Sequence, residues 1–175
     1  MTAFLFVTGQ LSLDFCNTSA GGRERLARPA DLSDWIFEAR LAPRRPRVRR
    51  AELAAAVGLR AALRRALLDR DRVAVARVVA RWLDDMPGRL EVDTETLGWR
   101  FIPAGGGPRC LLVPVVLDAL CLAREVPDRV RECAGDRCDV LYLDTSRNRS
   151  RRWCSMERCG ARAKASAYYQ RRRGE

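Results

Sequence analysis

The sequence predicts an α+β chain in two parts: a mainly helical domain with one β-hairpin over residues 1–126, and a small cysteine-built module over 127–175. Three observations carry this expectation. Apolar residues recur at helical spacing through most of the first part. One stretch, "RLEVDTETLGWRFIP", switches to a period of two. Beyond residue 126, four cysteines fall in two Cys-x4-Cys pairs, Cys133/Cys138 and Cys154/Cys159, with arginines crowded between them.

The elements follow in order. "LSLDFCNT" at 11–18 is a compact apolar start that breaks at Gly21-Gly22. "DLSDWIFEARL" places Leu32, Trp35, Ile36 and Leu41 at roughly helical spacing, with Asp31 expected as the N-cap. The proline-spaced basic run "APRRPRVRR" reads as a solvated loop. From Ala51 to Asp69 the chain is rich in Ala, Leu and Arg, all strong helix formers, with Leu59, Leu63 and Leu67 in one row. Val75, Val78, Val79, Trp82, Leu83 and Met86 form the core-facing stripe of the next helix, which Pro87-Gly88 should end. Leu90 and Val92, then Leu97, Trp99 and Phe101, alternate across a polar turn and predict the hairpin. After the Gly-Gly-Gly-Pro loop at 105–108 an apolar helix is expected over about 112–126, with Pro114 tolerated in its first turn.

Composition limits what such a chain can do. Apolar residues make up 47% of its 175 positions, enough for a real core. "MTAFLFVTGQLSLDF" lacks the basic start of a signal peptide, and "CLLVPVVLDALCLA" is too short to span a bilayer. A soluble, cytoplasmic protein without membrane contact is expected, in which the seven cysteines serve as thiols and metal ligands rather than disulfides. Histidine is absent, which excludes Ser-His-Asp triads, Cys-His pairs and histidine metal sites. No carboxylate or lysine constellation takes their place, so the chain reads as a non-enzyme. The formal net charge is +11, and all but one of the 33 basic residues are arginine, Lys164 being the exception. Part of that charge is compositional, but its placement says more. Residues 140–173 hold ten basic residues against Asp144 and Glu157, an electrostatic footprint of the nucleic-acid type.

Four thiolates give an all-sulfur tetrahedral site, which Zn2+ accepts without a geometric preference of its own. An iron–sulfur cluster also suits four cysteines. The favoured reading is one structural Zn2+ per chain, held by Cys133, Cys138, Cys154 and Cys159. Gly135 and Gly160 are read as giving the two turns backbone freedom. Between the pairs Val140, Tyr142 and Trp153 alternate around an arginine-rich turn, which predicts a hairpin running from one pair to the other. "GARAKASAYYQRRR" is helical in character, so knuckle, hairpin, knuckle and helix make a treble-clef-like module. Cys16, Cys110 and Cys121 lie among apolar residues and are expected as buried thiols.

The run "LDTSRNRSRRWCSMERCGARAK" resembles the CGNR-type zinc finger of bacterial proteins described as stress-induced transcription regulators, in which the finger follows an N-terminal ABATE domain. "LSLDFCNT", followed by "DLSDW" at 31–35, is similar to the opening of that domain. The resemblance implies zinc-dependent DNA binding by 133–175 and a regulatory or sensing role for about 1–126. It departs at one position. Cys159-Gly160-Ala161-Arg162 carries alanine where the family has asparagine, and alanine, the best helix former, is expected to leave folding and zinc binding intact.

Beside the resemblance stands the chemistry of the residues. Arg147, Arg149, Arg151 and Arg152 on the turn are candidates for phosphate contact. Arg162 is the candidate for base contact, and Lys164, Arg171, Arg172 and Arg173 form a second basic surface. The expected setting is the cytoplasm, on the nucleoid when bound to DNA. Tyr168 and Tyr169 keep RNA binding open through stacking, although packing of one tyrosine against the hairpin is expected. A protein-interaction module with purely structural zinc is a further alternative. In the first domain Asp14, Asn17 and Thr18, with Trp99, could line a pocket for a small-molecule effector, or could cap local turns as such residues commonly do. A homodimer formed through apolar helical surface would double the DNA contact and raise avidity.

Overall fold

The computed structural model describes residues 4–84, 86–96 and 99–173, without the side chains of Trp99, Arg100, Ala167, Arg171 and Arg173. It begins with helix α1 (Leu11–Cys16), which tightens into a 3-10 turn over Asn17–Ser19. Leu13, Phe15 and Cys16 on α1 are fully buried. Helix α2 (Pro29–Glu38) starts one turn earlier than the sequence suggests. Arg28, held extended before Pro29, is the N-cap. Asp31 occupies the third helical position, accepting the Arg28 backbone N–H at 2.7 Å and its guanidinium at 3.0 Å.

Helix α3 (Arg50–Leu68) opens with the same device. Glu52 accepts the Arg49 backbone N–H at 2.7 Å. Its expected leucine row, Leu59, Leu63 and Leu67, is buried. Asp71 then caps helix α4 (Arg72–Leu83) by accepting the Ala74 N–H at 2.9 Å. Val75 and Val79 face the core, but the helix stops short of Met86. Arg109 explains the stop: its guanidinium donates to the carbonyls of Trp82 at 2.8 Å and Asp84 at 3.0 Å. These are orphan acceptors at a helix end, and a cation there is favourable.

Strands β1 (Gly88–Val92) and β2 (Trp99–Pro103) pair antiparallel, Leu90 opposite Phe101 and Val92 opposite Trp99. Leu97, assigned to this alternation, lies outside the described residues. The hairpin stands off the core, with Leu90 61% and Val92 60% exposed. A short helix α5 (Pro108–Leu111) leads into α6 (Val113–Glu125), whose first turn holds Pro114 as expected. Helix α6 packs on α1 and α4 and buries Val115, Val116 and Ala119 completely. Among the described residues no helix is long and apolar enough to cross a membrane. Of the three cysteines outside the pairs only Cys16 is buried, and burial pushes its thiol up to about 12. Cys110 on α5 is half-buried and Cys121 on α6 is exposed, against the burial expected of both.

A 3-10 turn at Pro127–Arg129 then enters strand β3 (Val130–Glu132), which pairs antiparallel with β4 (Leu141–Leu143). This corrects the expected hairpin of the cysteine module. The partner of Leu141–Leu143 lies upstream of Cys133, and residues 144–155 form a loop rather than a return strand. Alternation around a turn locates a strand but does not choose its partner. A π-helical turn (Met156–Gly160) runs into helix α7 (Ala161–Arg173).

Among the described residues the buried side chains gather into two clusters. The larger joins α1 to α4 and α6, and also takes in Val130 and Leu141. The smaller gathers Cys133, Val140, Tyr142, Cys154 and Cys159, with Ala20 from the first domain. Leu63 in the larger cluster is fully buried, whereas Val73 on α4 faces solvent. Leu63→Ala should therefore lower unfolding stability by about 2–5 kcal/mol, while Val73→Ala should change it by less than about 0.5 kcal/mol. Denaturant unfolding of the two variants checks the contrast.

Candidate metal centre and nucleic-acid interface

The four paired cysteines converge, and their sulfurs all lie within 4.8 Å of one another. The first pair flanks a knuckle in which Cys138 N–H donates to the Gly135 carbonyl at 3.0 Å, with Arg137 at φ 54°. The second pair brackets the entry to the π turn, where Cys159 N–H donates to the Ser155 carbonyl at 3.1 Å. Gly135 and Gly160 serve a different purpose from the backbone freedom expected of them. A Cβ on Gly135 would sit 3.0 Å from the Cys159 sulfur, and one on Gly160 would sit 2.7 Å from the Met156 sulfur. Gly135 leaves room for a paired sulfur, whereas at Gly160 the flexible end of Met156 would have to give way.

The sulfur spacing suits a metal. Cys138 and Cys154 are 3.8 Å apart at sulfur, and Cys154 and Cys159 are 3.7 Å apart. A tetrahedron with zinc–sulfur bonds of about 2.3 Å has edges of about 3.8 Å, while a disulfide needs about 2.05 Å. The electrostatics agree. Burial pushes the Cys138 thiol up to about 11, and burial also raises Cys154, with the neighbouring sulfurs adding to both. Thiolates gathered this closely need a divalent cation among them to offset their charge. The donor set and spacing fit one structural zinc ion.

Backbone and side-chain donors surround the sulfurs. Cys133 Sγ accepts the N–H groups of Cys154 at 3.2 Å and Gly135 at 3.4 Å. Arg162, the candidate for base contact, donates instead to Cys159 Sγ at 3.2 Å. Burial alone would raise the Cys159 thiol, but the Arg162 bond and the adjoining sulfurs bring it down to about 7. Such outer donors orient a ligand and hold its charge.

The loop from 144 to 152 is tied down from within. Buried Asp144 accepts Ser146 N–H at 2.9 Å, Ser146 Oγ–H at 2.6 Å and Arg151 N–H at 3.2 Å. Burial alone would raise this carboxyl, yet those bonds hold it below its ordinary value. Arg129 donates to the Asp144 and Ser146 carbonyls at 2.9 and 3.1 Å. Arg151 turns inward, bonding the Trp153 carbonyl at 2.9 Å and the Cys154 carbonyl, with its guanidinium over the Tyr142 ring. Arg152 lies over the Trp153 ring at 5.4 Å. Arg147 and Arg149 remain at the tip, exposed to solvent.

Helix α7 carries the second basic surface. Its substantial packing among the described residues is against the π turn at its root. Lys164 and Arg172 are exposed; the side chains of Arg171 and Arg173 lie outside the described residues. Tyr168 and Tyr169 are also exposed, at 50% and 65%. The packing of one tyrosine on the hairpin that the sequence suggests is not seen, since both rings stay exposed.

The candidate pocket residues of the first domain each bond a different part of the chain. Asp14 accepts the N–H groups of Val7 and Thr8 at 3.2 and 3.1 Å and the Thr8 hydroxyl at 2.9 Å. Thr18 Oγ1 donates to the Phe15 carbonyl at 2.7 Å and accepts from buried Arg60 at 3.0 Å. Asn17 bonds both backbone groups of Leu141, at 2.9 and 2.7 Å. Trp99 sits in β2, and its side chain lies outside the described ones. Sequence reasoning missed Asn17 as an anchor of β4, and missed Asp144 and Arg129 as the loop's internal supports.

A model of the CGNR zinc finger matches residues 129–172. A model of the ABATE domain, described as "Putative stress-induced transcription regulator", matches residues 9–126. No curated protein matches the chain significantly.

Elemental analysis should find one zinc per chain, and Cys154→Ser should abolish it. Arg162→Ala should keep that stoichiometry but weaken zinc retention by about 10- to 100-fold in chelator competition.

Proposed function

The chain belongs to the ABATE family and carries a CGNR zinc finger, and from that premise we propose that it is a zinc-dependent, DNA-binding transcription regulator. The observation that supports this most is helix α7. It has no acidic residue and exposes nearly every described side chain. Its root is fixed by Cys159 and Arg162 at the metal centre.

A 13-residue helix with so little packing is marginal by itself in water. Anchored at one end and positive along its length, it gains most from a partner that is anionic and helix-sized. The major groove of DNA admits an α-helix and surrounds it with phosphates. The loop tip adds Arg147 and Arg149, held out by the Asp144 network rather than by a flexible hairpin. Phosphate contacts of this kind set register, and sequence preference then falls to the outward residues of α7. Ala161, the departure from the family motif, is exposed at the first position of that helix. Response to stress is part of this reading through the family description, with the ABATE domain as the regulatory half.

One observation favours a second reading. Tyr168 and Tyr169 are both exposed, with ring centroids 5.8 Å apart and planes at 72°. Exposed aromatic rings suit unstacked bases, as single-stranded RNA offers.

With about five phosphates neutralised, log affinity should fall against log salt with a slope of roughly −4 to −5. Arg147→Ala and Lys164→Ala should each flatten the slope by about one, with zinc content unchanged. Arg151→Ala should instead disturb the finger itself, because that side chain braces the Cys154 carbonyl. A flat salt response, or preference for RNA in direct competition, would count against DNA.

A further inference from the structure

We propose that the zinc centre is a structural element of the N-terminal domain as well as of the finger, with Asn17 as the positioning residue that transmits metal occupancy to that domain. The two family matches part between residues 126 and 129, yet the packing does not part there.

Strands β3 and β4 have three residues each, and a two-stranded hairpin of that size is not stable alone. Two supports hold it. At one end Cys133 follows β3 and Cys138 precedes β4, so a metal bound there closes the ribbon. Along its flank the first domain holds it. The Leu141 N–H and C=O both bond the Asn17 carboxamide, so they point away from β3. Asn17 thus stands in for a missing neighbouring strand. Its side chain is almost fully buried, and Leu141 is fully buried.

Neighbouring bonds strengthen the same junction. Arg64 on α3 donates to the Asp139 carbonyl at 2.6 Å and pairs with Glu132 at 2.8 Å. The Gly21 N–H donates to the Asp139 carboxylate. Asp139 directly follows the ligand Cys138. Movement of the first knuckle therefore pulls on α3, on the 20–22 turn and on Asn17 together.

The consequence is a linkage. Removing zinc releases one support, and the ribbon then depends on its grip by the first domain, with Asn17, Arg64 and Gly21 as the polar contacts. As it loosens, the buried carboxamide loses its partners and Leu141 leaves the larger core. By reciprocity, loss of the Asn17 clamp must weaken zinc by the same factor. Zinc occupancy is thereby reported inside the ABATE domain, whatever the finger binds.

The test uses the full chain. Hydrogen exchange by mass spectrometry, with zinc bound and after stripping by a chelator, should show faster exchange at 11–26 and along the second half of α3. Exchange that rises only beyond residue 127 would overturn the proposal. In chelator competition Asn17→Ala should lose zinc about tenfold more readily, the scale of leaving a buried backbone pair unpartnered. Thr18→Val, an equally buried change that breaks the Arg60 bond without touching Leu141, should leave zinc retention unchanged. Equal effects of the two variants would reduce Asn17 to a general stability residue and sink its assigned role. If Asn17→Ala fails to fold, the exchange comparison on the unaltered chain decides the matter by itself.

Discussion

A strand has two faces, and in β4 both are buried. Val140 and Tyr142 point into the cysteine cluster, while Leu141 between them points into the helical core. This follows from the period of two along a strand. It places one ribbon at the shared boundary of two cores, neither of which closes without it. The helical domain needs Leu141 and Val130 to seal α1 and α3. The finger, too small for an apolar core of its own, needs metal and the same ribbon to hold its knuckles. The position of everything beyond residue 126 depends on how that ribbon is gripped.

Arginine is used in three ways in this chain, and the uses differ by geometry rather than by sequence neighbourhood. Some arginines brace other parts of the chain. Arg60 is buried against Thr18 and Glu24, Arg64 bonds the ribbon, and Arg129 and Arg151 shape the loop of the finger. Arg109 ends a helix, and Arg162 supports a zinc ligand. The guanidinium suits these places because its planar fork spreads one charge over several donors and is weakly hydrated. A third group faces outward, among them Arg147 and Arg149 at the tip and Arg172 on α7. The footprint available to an anionic partner is narrower than the net charge of +11 suggests, but it is more sharply placed.

Rigidity follows the same division. The fully buried Asp144 collects three donors from its own loop, so the arginine tip is held before any partner arrives. A preformed tip loses less conformational entropy on binding than a floppy one. Helix α7 is the opposite case, fixed at its root and bare along its length. The β1–β2 hairpin, with Leu90 and Val92 in solvent, is a second bare element.

The sequence by itself determined whatever depends on local pattern. Leucine and valine rows located α3, α4 and α6, because a helix buries one stripe of its own residues. The equal Cys-x4-Cys spacing located the zinc ligands, because each knuckle must curl around the ion within a few residues. Helix ends were less legible. Asp31 is an acid in either role, and the extended residue before Pro29 decided that it sits inside the first turn. The tertiary structure alone decided the pairings that no local pattern encodes. Strand β4 turns back to Val130–Glu132 instead of onward to Trp153. Arg162 faces a sulfur rather than a groove, since one turn of helix brings its guanidinium to Cys159. Asn17 meets Leu141 across 124 positions of chain, a distance over which a polar residue near a turn looks the same whether it caps its own backbone or clamps another. Long-range hydrogen bonds satisfy buried groups that only the folded chain brings face to face, and for that reason the role of Asn17 could be read only from the fold.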